Sequence, residues 1–356
     1  MDDRITNDYI MTAINELIGA VGIKEPVSAD VLKALLCSGG VQECVKAVGD
    51  QLGLSIRVKV INLSSQAADS VRESFHSTKL SRTDAQGHGI EGITAQIRMP
   101  SHVPLYGSAA FQQMQVDVLI GGDVARHPRT FLAVMAHELS HVVLHSLGHP
   151  ERENEVWTDL AAMVQGFADI LGAGRKQSEE RWVSGVRKQV ETTFGYLTDT
   201  QFDFAYARVQ AILADMRRTR QNALALASTI VGRCAHGLRM VQEFQMLLTR
   251  LHEQPHKKYR RKDGAVLVRC HEPGYPESLA RSLQAAEECA SRAYAQCQSV
   301  SWHTRISNRL VCEHSASLQA IAADLGPQLD RIAREIRTLT RCAGLVFRLK
   351  RWLRSG

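Results

Sequence analysis

The amino-acid sequence predicts an α+β protein in two parts: a mixed domain over residues 1–204, with a short sheet set among helices, and a basic long-helix domain over residues 205–356. Three observations support this. Apolar and polar residues alternate with a period of two only in runs between residues 55 and 122, whereas three- and four-residue spacing dominates before and after them. Beyond about residue 205 strand signals nearly vanish, and Ala, Leu, Arg and Gln prevail. The charge also changes sign along the chain: residues 201–356 hold 25 Lys+Arg against 13 Asp+Glu, a net of +12, so a chain of net +6 carries −6 in its first 200 residues.

Asp8 to about Gly22 and Ser28 to about Leu52 are expected to be helices. In the second, Val31, Leu32, Leu35, Leu36, Val41, Val45 and Val48 recur at three- and four-residue steps, and Ser28 suits the N-cap. The runs SIRVKVINL (55–63), GITAQIRM (92–99) and QVDVLIGG (115–122) read as strands of a half-buried sheet. Between the first two, the polar stretch 64–91 is long for a turn and reads as a helix, a loop or a flap. Pro128 opens a helix that Gly148 and Pro150 close, and another is expected from about Glu153 to Leu171.

Residues 205–252 read as one long helix. The piece 252–276, with three prolines and two glycines around the basic run HKKYRRK (256–262), reads as a hairpin-bearing connection. Beyond it Leu318, Ile321, Leu325, Leu329, Ile332, Ile336 and Leu339 repeat at steps of 3, 4, 4, 3, 4 and 3, the seam of a helix packed on a partner helix. Gly326-Pro327 is expected to kink that helix or divide it.

Composition excludes several classes. No window approaches the roughly 18 uninterrupted apolar residues of a membrane span. The start MDDRITNDYI lacks the charged-then-apolar layout of a secretory signal, so a cytoplasmic protein is expected. The eight cysteines are widely spaced with no CxxC pair, which argues against a disulfide scaffold and a zinc ribbon.

The chemistry concentrates in FLAVMAHELSHVVLHSLGHP (131–150). His137 and His141, four residues apart on a helix, leave the same face one turn apart and can share one ion. Glu138 beside them is placed to take a proton from water at a bound zinc. A catalytic zinc needs a third protein ligand besides the water site. A third histidine of the metzincin kind would fall at Leu147, with a glycine at Leu144, and neither is present.

The segment NEVWTD (154–159) resembles the NExxSD glutamate helix of thermolysin-like gluzincins. That resemblance implies Glu155 as the third zinc ligand and Asp159 as the carboxylate that orients a zinc histidine; Asp159 as the ligand in place of Glu155 is the alternative. The order of elements, and HELSHVVLH itself, resemble compact cytoplasmic minigluzincins, including ImmA/IrrE-like peptidases, over roughly residues 30–175. A minigluzincin-like fold follows as an expectation, with substrate added to an edge strand, either GITAQIRM or QVDVLIGG.

Sites of this kind usually offer a further donor to the developing oxyanion. Tyr196, in FGYLTD, is the first candidate, with Tyr106 and His145 behind it; simple packing is the plainer role for all three. His145 extends the histidine face as a wall, and His149 and His127 suit the helix ends. Cys37 and Cys44, seven apart on one helical face, are candidates for an inhibitory thiolate on zinc, with buried structural cysteine the plainer reading.

The expected function is therefore a zinc-dependent endopeptidase acting on a protein or peptide substrate, with a restricted regulatory target. The alternative is a sensing or binding protein whose basic helical half engages nucleic acid or a partner, the zinc domain serving as scaffold or regulated output. A third, a toxin-like protein engaging a membrane, rests only on the amphipathic end of the chain. The basic run and the terminal Arg348, Lys350, Arg351 and Arg354 suit an anionic partner, nucleic acid or a membrane surface, although no nucleic-acid-binding motif accompanies them. Apolar helix seams suit a homo-oligomer. The intact Glu138 favours the enzyme.

Overall fold

A computed structural model describes residues 5–38, 40–63, 75–83, 89–100, 102–121, 124, 127–183, 186–252, 274–300, 302–303 and 305–354. The chain forms two compact units, one of Met1–Ala214 with Ser301–Arg305, the other of Asp215–Val300 with Ile306–Gly356. No helix among the described residues is long and apolar enough to cross a membrane.

The first unit begins with α1 (Asn7–Val21), capped by the Thr6 hydroxyl accepting from the Tyr9 N–H and closed at Gly22. The single helix expected from Ser28 to Leu52 is two, α2 (Ala29–Ser38) and α3 (Gly40–Leu52), because Gly40 adopts a φ of 84° that a helix cannot continue through. Six strands form the main sheet: β2 (Arg57–Leu63), β3 (Phe75–Thr83), β4 (Gly89–Arg98), β5 (Gln115–Gly121), β6 (Lys176–Val183) and β7 (Val186–Phe194). Their order is β2-β5-β4-β3-β7-β6, parallel only between β2 and β5. A separate two-stranded pair joins β1 (Ile23–Lys24) to β8 (Trp302–His303). A short α4 (Ala109–Gln113) precedes β5.

Two expectations about the sheet are overturned. Neither GITAQIRM nor QVDVLIGG is an edge: β4 lies between β5 and β3, β5 lies between β2 and β4, and the edges are β2 and β6. Part of the stretch read as helix, loop or flap is strand β3, which pairs antiparallel with β4 and so keeps it from being an edge. The β6/β7 hairpin, which the sequence reading did not anticipate, extends the sheet further.

The helix α5 (Pro128–Ser146) starts on Pro128 and ends before Gly148, whose φ is 60°. Every residue from Thr130 to Leu144 is buried, as expected of a helix apolar around most of its circumference. The helix expected from Glu153 to Leu171 has three pieces: α6 (Glu155–Ala162), a π-turn (Met163–Phe167) and α7 (Ala168–Gly174). The interruption centres on Gly166, with a φ of 96°, where an added Cβ would lie 2.4 Å from the Glu25 carbonyl oxygen and the Val27 N–H donates to the Gly166 carbonyl.

In the second unit, α8 (Asp199–His252, shared with the first), α9 (Tyr275–Ser299) and α10 (Arg305–Arg354) supply a common core. Leu318, Leu325, Leu329, Ile332, Ile336 and Leu339 of the expected seam are buried in it, with Phe244 of α8 and Leu283 of α9. At Gly237 an added Cβ would meet Leu329 at 2.6 Å and Leu283 at 3.0 Å, so all three helices converge there. Pro327 sits inside α10 without dividing it. The expected connection over 252–276 lies almost wholly outside the described residues.

The glycine that seats α7 on α5 gives a test of this packing. At Gly174 a Cβ would come within 2.4 Å of the Arg129 carbonyl oxygen and 2.6 Å of Ala133 Cβ, both on α5. Gly174→Ala is expected to cost about 1–3 kcal/mol of stability through overpacking, read as a lower thermal midpoint. An unchanged midpoint would contradict this contact.

Candidate metal centre

The i, i+4 spacing on α5 puts His137 and His141 on one face, with ring centroids 5.0 Å apart. Gly148 then turns the chain, and Asn154 caps the next helix by accepting the Val156 N–H at 3.1 Å. Glu155 thereby becomes the first residue of α6, where the positive end of the helix dipole favours a carboxylate. The start of α6 is pinned from α1: the Tyr9 hydroxyl accepts from Trp157 Nε1 at 2.8 Å and from Asn154 Nδ2 at 3.0 Å.

Glu155 Oε2 lies 3.1 Å from Nε2 of His137 and 3.1 Å from Nε2 of His141. These three residues form a group able to hold a metal ion, with donor atoms all within 4.8 Å of one another. The far nitrogens are engaged elsewhere. His137 Nδ1 donates to Asp159 Oδ1 at 2.7 Å, and His141 Nδ1 lies 3.2 Å from the Thr158 hydroxyl, which itself donates to the Asn154 carbonyl. Each imidazole is thus held from behind at Nδ1 and turns Nε2, the atom free to ligate once it gives up its proton, to the shared centre. The histidine side chains are 2% and 0% exposed and that of Glu155 is 23% exposed, so the centre opens to solvent on the Glu155 side.

A four-coordinate ion with bonds of about 2.0–2.1 Å needs ligand atoms about 3.3 Å apart. The two separations of 3.1 Å fit that edge length. The donor set fits as well: two imidazole nitrogens and one carboxylate, with two further carboxyl groups of Glu138 and Asp159 close by, make a strongly negative surrounding that favours a dication.

Electrostatics link the groups tightly. Burial opposes protonation of His137, but the charge and hydrogen bond of Asp159, with help from Glu155 and Glu138, raise its pKa well above the ordinary histidine value. Burial lowers that of His141. For Glu155 burial works against ionisation, yet the hydrogen bonds from both histidines win and bring its pKa to about 2. Glu138 is fully buried beside His137.

The remaining expected residues fall in different places. Asp159, weighed as an alternative ligand, is turned to His137 Nδ1 with Oδ1 and to the Tyr196 N–H with Oδ2, at 2.8 Å. The Tyr196 ring stacks on His137, with centroids 5.8 Å apart and planes 19° apart. Tyr106 packs on Phe111, and His145 lies 3.6 Å from Glu153. His149 is buried against Trp157 and accepts the Glu151 N–H. His127 is the N-cap of α5. Cys44 is buried, its thiol directed to the Leu32 carbonyl and pushed up to about 11 by burial, whereas Cys37 is exposed. Neither cysteine belongs to the metal-binding group.

Sequence reasoning did not single out Thr158, Gly195, Tyr9 or Trp157. Thr158 and Trp157 lie inside NEVWTD, where the i, i+3 spacing of Glu155 and Thr158 was the available signal. Nothing local marks Tyr9 or Gly195.

No protein-family profile, curated protein or solved structure matches this chain.

A metal at this centre must displace the proton that His137 holds more tightly than an ordinary histidine. Apparent zinc affinity is therefore expected to climb about tenfold per pH unit while the pH is below the raised His137 value, and to flatten above it. Glu155 stays ionised throughout and adds no slope. Competition with a chromophoric chelator between pH 6 and 8 measures this; an affinity independent of pH across that range would refute the proton competition.

Proposed function

We propose that this protein is a zinc-dependent endopeptidase and that His137, His141 and Glu155 hold the ion. The observation that carries the proposal is the convergence of both Nε2 atoms on one Glu155 oxygen, with both Nδ1 atoms engaged behind them. Two imidazole nitrogens and one carboxylate form a donor set that would suit zinc among the common divalent ions. Bound there, zinc supplies Lewis acidity to the attacking water and to the scissile carbonyl.

The chain's own groups carry the proton. Glu138, adjacent to His137 and shielded from bulk solvent, accepts the proton of the attacking water on its carboxylate and returns it to the departing amine. Asp159 keeps His137 in the Nδ1–H tautomer throughout, so that the proton in transit belongs to Glu138 and not to a metal ligand. The gluzincin resemblance of HELSHVVLH and NEVWTD supports a peptide substrate, and it also supports a restricted protein target.

The assay is hydrolysis of a peptide library by protein of measured zinc content. Glu138→Gln is expected to retain zinc and to lose roughly 10²- to 10⁴-fold in turnover, the usual worth of a positioned general base. Glu155→Ala is expected to lose zinc. Full turnover by Glu138→Gln would sink the mechanism, and zinc loss on Asp159→Ala but not on Glu155→Ala would reverse the ligand assignment.

A further inference from the structure

The metal-binding group sits on two helices, yet a third segment, far along the chain, holds His137 in place. Asp159 uses one oxygen for each of two partners, Oδ1 for His137 Nδ1 at 2.7 Å and Oδ2 for the Tyr196 N–H at 2.8 Å, so its carboxylate plane is defined from both ends. Gly195 has a φ of 95°, and a Cβ there would stand 3.2 Å from Asp159 Oδ2. The Tyr196 ring lies nearly parallel to the His137 ring. The same two-residue turn thus reaches His137 twice, through its hydrogen-bonded carboxylate and across its face.

The turn is itself anchored on both sides by one buried residue. The Arg175 carbonyl accepts the Phe194 N–H at 2.8 Å, and the Arg175 guanidinium donates to the Leu197 carbonyl. That guanidinium also bonds Asp199 and lies over the Phe202 ring. Phe194 and Leu197, on either side of Gly195-Tyr196, are buried.

We propose that Gly195 and Tyr196 are positioning residues of the metal centre: the turn sets the orientation of the His137 imidazole and thereby the affinity for the ion. It acts through Asp159 and by ring stacking, not by ligation. This gives Tyr196 a role carried by its ring and main chain, distinct from the oxyanion donor expected from sequence. Glycine at 195 is required on two counts, because any side chain crowds the orienting carboxylate and an L-residue at that φ is strained.

The inference rests on the metal-site reading and is independent of peptidase activity. The full-length protein and its variants are titrated with zinc against a chromophoric chelator, and the visible absorption of the cobalt form reports ligand geometry. Gly195→Ala is expected to weaken zinc binding by roughly 10- to 100-fold, the usual effect of losing an orienting partner, with a changed cobalt spectrum. Tyr196→Ala is expected to weaken binding and Tyr196→Phe to leave it unchanged. In an Asp159→Ala background, Gly195→Ala is expected to add almost nothing, because the carboxylate through which it acts is gone.

Wild-type affinity in a folded Gly195→Ala protein, or a full Gly195→Ala effect persisting without Asp159, would overturn the proposal; so would equal losses for Tyr196→Phe and Tyr196→Ala. Should Gly195→Ala fail to fold, Gly195→Asn, which tolerates positive φ better, carries the same comparison. Failure of the wild type to bind zinc would instead remove the metal-site reading itself.

Discussion

The folded first unit depends on placing three carboxyl groups and two imidazoles together inside protein. Glu138 is wholly buried, Asp159 nearly so, and one Glu155 oxygen lies within hydrogen-bond distance of both histidines at once. Charges taken out of water are tolerated only when each has a partner of matching geometry, and an isolated buried carboxylate costs several kcal/mol. The contact of α5 with α6 meets that condition by setting Glu155 between the Nε2 atoms and Asp159 behind one of them. The elements around the centre are arranged to keep these helices in register.

Three close approaches show how that register is maintained. Gly174 lets α7 lie on the backbone of α5, Gly166 lets the π-turn lie on the Glu25 carbonyl, and Tyr9 receives two hydrogen bonds from the opening turn of α6. Each is made by a segment remote in sequence from the helix it positions. Fixing the ligands in this way removes freedom that an ion would otherwise have to remove on binding, and a preorganised ligand set binds more tightly for that reason.

The sheet has a different relation to the centre than a minimal gluzincin-like plan implies. Strands β3, β7 and β6 extend it past β4, so the strands expected to receive a substrate are interior and β2 and β6 are the edges. The β6/β7 hairpin also delivers Gly195 and Tyr196 to His137 from the end of β7. The β6/β7 hairpin thus both covers β3 and contributes to the candidate metal centre.

What the sequence alone determined was whatever nearest neighbours decide. His137 and His141 share a face because an α-helix repeats every 3.6 residues, Pro128 and Gly148 bound that helix by their backbone geometry, and the apolar steps from Leu318 to Leu339 declare a buried seam. The pairing of Glu155 with the two histidines was legible only through the resemblance of NEVWTD to a known glutamate helix, which left Asp159 as an alternative that the structure instead turns to His137 Nδ1. Only the tertiary structure decided the rest. The break at Gly166 is dictated by Glu25, the strand order by β3 and the β6/β7 hairpin, and the burial of Cys44 by α2. The stack of Tyr196 on His137 joins residues brought together by Asp159 and Arg175, and no local spacing encodes it. These contacts span long stretches of chain, where the energy comes from packing and hydrogen-bond partners that a local pattern does not name.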